Sequence, residues 1–445
     1  MTTFTGTAGD DSIIGSADDD QFHLEQGGDD IARGKAGNDT FFMGGAFTGE
    51  DRIDGGGGQG DVVVLDGDYS SGVTVANGSL VGIERLRLLA GHSYALNIEA
   101  GSIALPHVDA LALGVDDSLR LDGSAMAQRL YVEGGQGDDT LIGGSGDDLL
   151  FGGHGRNVLI GGAGVDYFVL VGHDEVANGG AGNDQFRIDD TNSGTQNDRL
   201  SGGSGDDSLV ITSGGTLVFS DTTIRSIEHM QIAGAIDLAM ADGNLAAGHT
   251  MTVLVSGASS RFDASLETDG DYDITVADTP QRMTLIGGGG DDTVRGASMA
   301  DLIVGGGGDD RLFTGNQSGV TDSDADTLIG GLGQDKMVAA AGGGGCRFVF
   351  QDIADSAVGA SDLIVGLDKH HDIIDLTAID ADTTQDGDQA FHLVSAFTGH
   401  AGELTLHYDA GTKLTAVSAD VDGDGVADMV IELKGDHSGF TGFAL

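Results

Sequence analysis

The chain has 445 residues, with 20 Lys and Arg against 72 Asp and Glu, which gives a formal net charge of -52. This charge opposes compaction by self-repulsion, and it argues against nucleic acid as a partner because phosphates would be repelled. The single cysteine, Cys346, excludes an intramolecular disulfide framework. Since 39% of the residues are hydrophobic, a core can form once the carboxylates are neutralised, and multivalent cations are the obvious partner.

The N-terminal stretch MTTFTGTAGDD has neither a basic segment nor an apolar segment, so no cleaved secretory signal is expected there. The longest apolar runs, such as DVVVLDG, are too short to cross a bilayer, so no membrane span is expected. These features predict a soluble chain that is either cytosolic or exported by a route that does not read the N-terminus.

A nine-residue pattern, G-G-x-G-x-D-x-U-x with U a large apolar residue, recurs in three blocks. The first block covers residues 1–61 and contains degenerate units such as GSADDDQFH and LEQGGDDIA. The second covers residues 134–210 and is the most regular, opening with GGQGDDTLIGGSGDDLLF. The third covers residues 285–346 and opens with GGGGDDTVR. The sixth-position residues are Asp11, Asp20, Asp29, Asp39, Asp51, Asp61, Asp139, Asp148, Asn157, Asp166, Asp184, Asp207, Asp292, Asp301, Asp310, Asp326 and Asp335, with Glu175 in register between Asp166 and Asp184.

Each unit is expected to form a tight turn up to the acid, where glycines supply positive φ at low steric cost. The next three residues are expected to form a short strand whose apolar residue, such as Leu141 or Leu150, points inward. Two units make one coil, and stacked coils bring carboxylates face to face. Ca²⁺ held by carboxylates and turn carbonyls would relieve the repulsion, whereas a flexible glycine-rich linker would not keep this pattern. The turn glycines expected to take part are Gly135, Gly137, Gly144, Gly146, Gly153, Gly155, Gly162, Gly164, Gly288, Gly290, Gly306 and Gly308.

Two segments between the blocks, residues 62–133 and 211–284, show the period-2 pattern of half-buried strands instead of the repeat. They resemble each other, since LVGIERLRLLAG aligns with TIRSIEHMQIAG and pairs Glu84 with Glu228. The favoured interpretation is an all-β, parallel β-solenoid in which these calcium-free β inserts continue the coils. Separate β-sandwich inserts are the alternative.

The repeats resemble the RTX (repeats-in-toxin) family of exported bacterial proteins. That resemblance implies a parallel β-roll in which the sixth-position Asp binds calcium together with turn carbonyls. Asn157 offers a carbonyl oxygen and therefore a weaker site. In AGGGGCRFVF, Cys346 stands where an Asp is expected, and we interpret it as a small filler of the core.

Residues 347–445 resemble the C-terminal domain that follows RTX repeats in serralysin-type proteases. The resemblance lies in FVFQDIADSAVGASDLIVGLDKHHDIIDLTAID and in FTGHAGELTLHYDAGTKLTAVSADVDGDGVADMVIELKG. It implies a β-rich cap on the roll and a C-terminal signal for type I secretion. The final GFTGFAL has the expected aliphatic and aromatic tail, but Gly442 replaces the acid that usually precedes it.

No H-E-x-x-H motif is present, so the protease activity of the serralysins is not carried over, and no catalytic residue is predicted. DKHHD, from Asp368 to Asp372, offers transition-metal ligands, but a solvated turn is favoured. DVDGDGVAD, from Asp420 to Asp428, matches the first half of an EF-hand loop, yet Ile431 stands where the bidentate Glu belongs. A hairpin turn is favoured there, with calcium binding as the alternative.

These observations predict a secreted or cell-surface protein that folds on roughly a dozen Ca²⁺ ions after leaving through a type I secretion apparatus. A structural, surface-layer or matrix role, with self-association, is the favoured function. The alternative is binding to an extracellular polysaccharide or host surface, whose signature would be an exposed aromatic or basic stripe. An enzyme with its site in a β insert is the third possibility.

Overall fold

The computed structural model describes residues 1–100, 107–189, 197–258, 261–277, 281–315, 324–340 and 344–445. These residues fall into two compact units. Unit 1 comprises Met1–Thr212 with Thr223–Ile227, and unit 2 comprises Ser213–Thr222 with Glu228–Leu445. Short β-strands dominate both units, and within the ranges described no helix is long and apolar enough to cross a membrane.

The strands are short because each coil turns after a few residues. Up to residue 212 they are β1 (Thr2–Thr5), β2 (Ser12–Ile14), β3 (Asp20–His23), β4 (Ile31–Arg33), β5 (Thr40–Gly44), β6 (Arg52–Asp54), β7 (Val62–Leu65), β8 (Tyr69–Val75), β9 (Leu80–Val81), β10 (Arg85–Leu88), β11 (Tyr94–Ile98), β12 (His107–Asp109), β13 (Leu119–Asp122), β14 (Tyr131–Glu133), β15 (Thr140–Ile142), β16 (Leu149–Phe151), β17 (Val158–Ala163), β18 (Tyr167–Leu170), β19 (Val176–Ala181), β20 (Gln185–Ile188), β21 (Arg199–Ser204) and β22 (Ser208–Ile211). The later strands are β23 (Gly215–Val218), β24 (Ile224–Arg225), β25 (His229–Ile232), β26 (Ile236–Ala239), β27 (Thr250–Val255), β28 (Arg261–Asp263), β29 (Asp271–Val276), β30 (Thr284–Gly288), β31 (Thr293–Arg295), β32 (Leu302–Gly307), β33 (Arg311–Phe313), β34 (Thr327–Leu332), β35 (Lys336–Val338), β36 (Arg347–Val349), β37 (Asp362–Val365), β38 (Ile373–Asp375), β39 (His392–Leu393), β40 (Glu403–Asp409), β41 (Leu414–Asp420), β42 (Met429–Lys434) and β43 (Phe443–Ala444), and 3-10 helices lie at Asp242–Asn244 and Ile353–Ser356.

Unit 1 is a β-solenoid whose chain alternates between parallel ladders. One ladder takes β1, β3, β5, β7, β10 and then every even-numbered strand from β12 to β22. A second takes β2, β4, β6 and β9, and a third takes β8, β11, β13, β15, β17, β19, β21 and β24. Each regular coil therefore contributes one strand to each of two ladders.

The register confirms the predicted coil. Leu141 pairs with Leu159, and Leu150 pairs with Phe168, so equivalent residues stand 18 positions apart in the regular block. The middle residue of β15 and of β16 is fully buried while its neighbours are half-exposed, because side chains alternate between the two faces of a strand. Phe168 stacks on Phe186 of the next coil with ring centroids 4.8 Å apart. The apolar side chains thus form a continuous core inside the coils.

Residues 62–133 contribute strands to the same ladders as the repeats. Strand β7 pairs with β5 of the first block, and β14 pairs with β16 of the second. In unit 2, β29 and β30 likewise pair with β31 and β32 of the third block. These strands continue the solenoid and do not form separate β-sandwiches.

Unit 2 is a second β-solenoid, closed at its end by antiparallel strands. One ladder runs β25, β27, β29, β31, β33, β35, β37, and the other runs β23, β26, β28, β30, β32, β34, β36, β38, β43. Strands β40, β41 and β42 form an antiparallel sheet, and β42 adds in parallel to β37. The predicted all-β, parallel solenoid with a β-rich C-terminal region is confirmed.

Candidate metal centre

Most of the sixth-position acids point into the solenoid. Each stands two residues before an inward apolar side chain, as Asp139 does before Leu141, and side chains two apart in a strand share a face. Asp139 is 1% exposed and Leu141 is fully buried. The buried members of the predicted set are Asp20, Asp39, Asp51, Asp61, Asp139, Asp148, Asn157, Asp166, Asp184, Asp207, Asp292, Asp301, Asp310, Asp326 and Asp335, together with Glu175.

These side chains form a ladder of hydrogen bonds from coil to coil. The backbone N–H of Asp148 donates to Asp166 Oδ1 at 2.8 Å, and that of Asp166 donates to Asp184 Oδ1 at 2.8 Å. The N–H of Asp292 donates to Asp310 Oδ1 at 2.8 Å in the same way. One oxygen of each carboxylate is thus used to join neighbouring coils. We call this arrangement the carboxylate ladder.

The second carboxylate oxygen has two kinds of surroundings. In some turns it accepts from the turn backbone, as Asp148 Oδ2 does from Gly144 N–H at 2.7 Å. In other turns it is buried and lacks a hydrogen-bond partner, a condition that costs free energy for any polar atom and more for a charged one. Carboxylates with such an orphaned oxygen are Asp39, Asp61, Asp166, Asp184, Asp198, Asp292, Asp310, Asp335 and Asp362.

The electrostatics of the ladder show the same imbalance. Burial, reinforced by the neighbouring carboxylates, raises the pKa of Asp166 to about 7 and that of Asp310 to about 9. Although burial also acts to raise it, the pKa of Asp20 lies below its ordinary value because Ser16 donates to that carboxylate from its N–H and hydroxyl. The carboxylates whose second oxygen lacks a donor therefore lie in a region of negative potential without a compensating positive charge.

The first glycine of each turn leaves room for oxygen atoms of two coils to meet. A Cβ on Gly161 would lie 2.1 Å from Asp166 Oδ2 and 2.8 Å from the carbonyl oxygen of Gly179 in the next coil. A Cβ on Gly305 would lie 2.0 Å from Asp310 Oδ2. This position is a cradle that a side chain would fill. A carboxylate oxygen and a carbonyl oxygen border it.

The glycines at the second and fourth positions of the turn are needed for two different reasons. Gly162 has φ +114° and Gly164 has φ +117°, so these positions need the left-handed region that glycine adopts at low cost. Gly153, Gly155, Gly288, Gly306 and Gly308 also have positive φ. In contrast, Gly144 is required by close approach, because a Cβ there would lie 2.1 Å from the carbonyl oxygen of Met126. A positive φ is not found at Gly135, Gly137, Gly144, Gly146 or Gly290. At four of these positions the backbone of another coil leaves no space for a Cβ, and at Gly135 the side chain of Leu113 occupies that space.

The donor set fits calcium. Each cradle offers carboxylate and carbonyl oxygens, the hard ligands that Ca²⁺ prefers, and an ion would neutralise the orphaned oxygens. Asn157 departs from this pattern, because its Oδ1 accepts from Asp139 N–H at 3.0 Å and its Nδ2 donates to Glu175 Oε1 at 2.9 Å. There the amide donates to the carboxylate of Glu175, which a cation would otherwise neutralise.

The first block shows one error of register. The predicted residue Asp29 is exposed, whereas Asp30 is 1% exposed and its Oδ1 accepts from Asp11 N–H at 2.9 Å. Asp30 precedes Ala32, which is the buried residue of β4, while Ile31 is exposed. Choosing the large Ile31 as the inward residue placed the acid one position too early. Asp11 lies half-buried at the first coil.

The ladder also includes acids that the glycine pattern missed. Asp198 and Asp362 are buried and accept from Glu175 N–H and Asp335 N–H at 2.8 Å each. Both are followed two residues later by a buried apolar residue, which is the part of the repeat that could have identified them. Asp372 accepts from Cys346 N–H at 2.8 Å and from Asp368 N–H at 2.7 Å, so its carboxylate is satisfied. Cys346 itself is buried in the core position.

The remaining motifs lie in turns of unit 2. His371 Nδ1 lies 2.8 Å from Asp368 Oδ2 on the surface of the DKHHD turn. DVDGDGVAD joins β41 to β42 as a hairpin turn, as expected, and ligand oxygens of Asp420, Asp422 and Asp428 lie within 4.8 Å of one another. Asp420 is buried and accepts from the N–H groups of glycines within the loop.

Comparison with known proteins identifies the family of the repeats. The family "RTX calcium-binding nonapeptide repeat (4 copies)" matches residues 2–31 and 133–168. Metalloprotease AprA of Pseudomonas entomophila is 43% identical over 88 residues, which is 20% of this chain and 18% of that protein. Metallopeptidase AprA of Pseudomonas marginalis is 42% identical over 88 residues, or 20% of this chain and 17% of that protein. The chain thus spans less than a fifth of these relatives.

Solved structures of two subunits from the Azotobacter vinelandii mannuronan C5-epimerase are also similar. AlgE6R3 has a TM-score of 0.25 and 25% identity, covering 35% of this chain and 77% of that subunit. AlgE6R2 has a TM-score of 0.24 and 21% identity, covering 34% of this chain and 90% of that subunit. The family "Peptidase M10 serralysin C terminal" matches residues 193–444. Because this match covers more than half of the sequence, the chain belongs to the serralysin C-terminal family.

Proposed function

We propose that this protein is secreted, binds calcium through its RTX repeats, folds on Ca²⁺ outside the cell and then serves a structural, surface-layer or matrix role. The observation that carries the proposal is the set of buried carboxylate oxygens without partners in the repeat turns. Asp166, Asp184, Asp292 and Asp310 would hold the ions together with turn carbonyls. Bound calcium would supply the positive charge that the carboxylate ladder lacks.

Calcium dependence would separate the exported state from the folded state. A chain with net charge -52 resists compaction where free calcium is low. Extracellular calcium sites typically have dissociation constants of about 10⁻⁴ to 10⁻³ M, so they fill outside the cell. Roughly a dozen ions would cancel about 24 negative charges, and their binding energy would become folding energy. Membership of the serralysin C-terminal family supports a type I secretion apparatus as the export partner.

A structural role agrees with the large share of the described residues that build the solenoid. Strands of both repeat blocks and β inserts join common parallel ladders within each unit, as β7 joins β5 and β29 joins β31. The described residues are thus largely committed to building the solenoid. We therefore propose a non-enzymatic function, with self-association as the route to an assembly.

The proposal is tested by comparing the protein in chelator and in saturating calcium. We expect far-UV circular dichroism to show a large gain of β-structure on calcium addition, with compaction in small-angle scattering. Electron microscopy of the calcium-loaded protein should show ordered sheets or filaments. Identical spectra with and without calcium would contradict calcium-dependent folding, and isolated particles at high protein concentration would contradict the structural role.

A second function, binding to an extracellular polysaccharide or host surface, is favoured by one surface of unit 1. Side chains on the outer face of neighbouring strands form what we call the outer stripe: Arg85, Arg87, His107, Tyr131 and Glu133. His107 and Tyr131 stack with ring centroids 4.4 Å apart. Glu133 accepts from the Tyr131 hydroxyl at 2.6 Å and lies 2.7 Å from His107 Nε2. The side chains of Arg85 and Arg87 are about two-fifths exposed, and both pair with Asp109 Oδ2, at 3.7 Å and 3.4 Å.

A groove of about 300 Å³ continues the outer stripe and is lined by Leu111, Phe151, His154 and Val169, among others. Aromatic edges, guanidinium groups and an adjacent groove can hold a chain of hydroxylated rings. Affinity electrophoresis of calcium-loaded protein through polysaccharide-containing gels tests this function. We expect retardation that Tyr131→Ala weakens and that Thr140→Ala, on another ladder, leaves unchanged. Equal mobility with and without polysaccharide would contradict it.

A further inference from the structure

One outer face of unit 2 carries two neighbouring cations that have no acidic partner. Arg311 on β33 and Lys336 on β35 stand opposite each other in the parallel ladder, and both are exposed. Among the residues that the structure describes, no carboxylate forms an ion pair with either side chain. We call these two residues the basic pair. Like charges on neighbouring strands destabilise a sheet, so the basic pair costs free energy in an isolated molecule.

A row of carboxylates runs beside the basic pair. Asp271, Asp291 and Asp309 hold equivalent positions in three successive coils, and the last two are exposed. Asp271 Oδ1 accepts from Asp291 N–H at 2.9 Å, and Asp291 Oδ1 accepts from Asp309 N–H at 2.8 Å. Asp309 Oδ1 accepts from Gln334 N–H at 2.9 Å, so backbone donors hold each carboxylate in place. We call these three acids the acidic row.

The acidic row and the basic pair border the same groove. A cavity of about 310 Å³ is lined by Asp309, Arg311, Lys336 and Glu432, among others. It lies on the outer face of the ladder, because the residue that follows each cation of the basic pair in its strand is fully buried. A partner that covers this groove must therefore bring positive charge to the acidic row and negative charge to the basic pair.

A second copy of this chain meets both requirements. It presents the same acidic row and the same basic pair, at the same strand spacing of about 4.8 Å. A two-fold axis along the ladder would place the acidic row of each copy opposite the basic pair of the other, which is an isologous contact. A simple polyanion, such as an acidic polysaccharide, would be attracted by the basic pair but repelled by the acidic row.

We propose that this face of unit 2 is the surface through which two copies of the protein associate, with the basic pair of each copy against the acidic row of the other. The inference rests on the structural role proposed above and names the contact surface for its self-association. Because salt screens ion pairs at a surface, association through this face should weaken as the ionic strength rises.

The test measures the mass of the calcium-loaded, full-length protein by analytical ultracentrifugation at low and high salt. We expect association at low salt that Arg311→Glu weakens by about tenfold or more in Kd, since reversal of the charge replaces attraction by repulsion at two symmetric contacts. Asp309→Lys should have the same effect. Arg199→Glu is the control, because Arg199 is exposed on β21 of unit 1 and its reversal changes the net charge equally. The control should keep the wild-type Kd.

Mixing the two variants separates this surface from a general effect of charge. An equimolar mixture of Arg311→Glu and Asp309→Lys should regain the wild-type Kd, because each reversed charge then faces a charge of opposite sign. Circular dichroism verifies that each variant folds, and Asp291→Lys replaces Asp309→Lys in the mixture if the latter does not fold.

Two results would overturn this inference while leaving the structural role in place. One is wild-type association in both single variants, and the other is a mixture that associates no better than its components. A wild type that stays monomeric at low salt and high protein concentration would instead overturn the self-association on which the inference rests, and the inference with it.

Discussion

The cradle at the first glycine of each turn leads us to predict that alanine destabilises the protein at Gly305 but not at Gly307 of the same turn. In Gly305→Ala the new Cβ would lie 2.0 Å from Asp310 Oδ2 and 2.7 Å from the carbonyl oxygen of Gly330, whereas ordinary contact begins at 3.4 Å. Gly307 is two positions later, and a Cβ there meets only Gly289 Cα, at 4.0 Å. An added methyl group therefore meets occupied space at Gly305 and open space at Gly307.

The expected magnitudes follow from these contacts. Overpacking in Gly305→Ala costs about 1–3 kcal/mol, and disturbing the bond from Asp292 N–H to the Asp310 carboxylate costs about 1.5–3 kcal/mol more. In Gly307→Ala, φ lies outside the left-handed region, so lower entropy of the unfolded chain should stabilise the fold by about 0.4–1 kcal/mol. We expect the two variants to differ by about 3–7 kcal/mol in free energy of unfolding.

The assay is urea unfolding followed by far-UV circular dichroism at saturating calcium, with a calcium titration of each variant. Gly305→Ala should unfold at lower urea and require more calcium to fold, because its Cβ occupies the space between the two oxygens. Gly307→Ala should match or exceed the wild type in both measurements. Equal midpoints for the two variants would refute the reasoning that the first glycine is required by a cation cradle.

Three further predictions follow from the core, the register and the charges. Leu150→Ala should destabilise the protein by about 2–5 kcal/mol because Leu150 is fully buried, whereas the half-exposed neighbour Leu149→Ala should cost less than half as much in the same urea assay. Asp30→Asn should remove one calcium ion in native mass spectrometry and Asp29→Asn none, and the reverse result would restore the predicted register. In chelator, lowering the pH from about 9 toward about 4 should increase the β-structure seen by circular dichroism. The reason is that the pKa of a carboxylate such as Asp310 is raised to about 9 in the folded state. Its contribution to stability is fully present below its unfolded pKa and is lost as the pH rises through the folded pKa. A spectrum that does not change with pH would contradict this assignment of raised pKa values.

Much of the fold was predictable because the repeat is local. An acid, an outward residue and a large apolar residue in sequence place Asp148 and Leu150 on the same face by strand alternation alone. The nine-residue spacing then predicts turns and short parallel strands, and the register of Leu141 on Leu159 agrees with it. The same rule failed at Asp29, since size suggested Ile31 as the inward residue while the coil buried Ala32.

The sequence by itself thus determined the coil, the inward acids of the regular repeats and the need for compensating positive charge. Tertiary structure alone decided which of the second carboxylate oxygens find a donor, since Gly144 N–H reaches Asp148 Oδ2 whereas Asp166 Oδ2 has no partner in the corresponding turn. It also decided that Asn157 and Glu175 satisfy each other and that Asp362 stands where the repeats meet the hairpin. These outcomes depend on the atomic contacts between stacked turns, and the repeat spacing predicts which turns are neighbours but not which atoms meet.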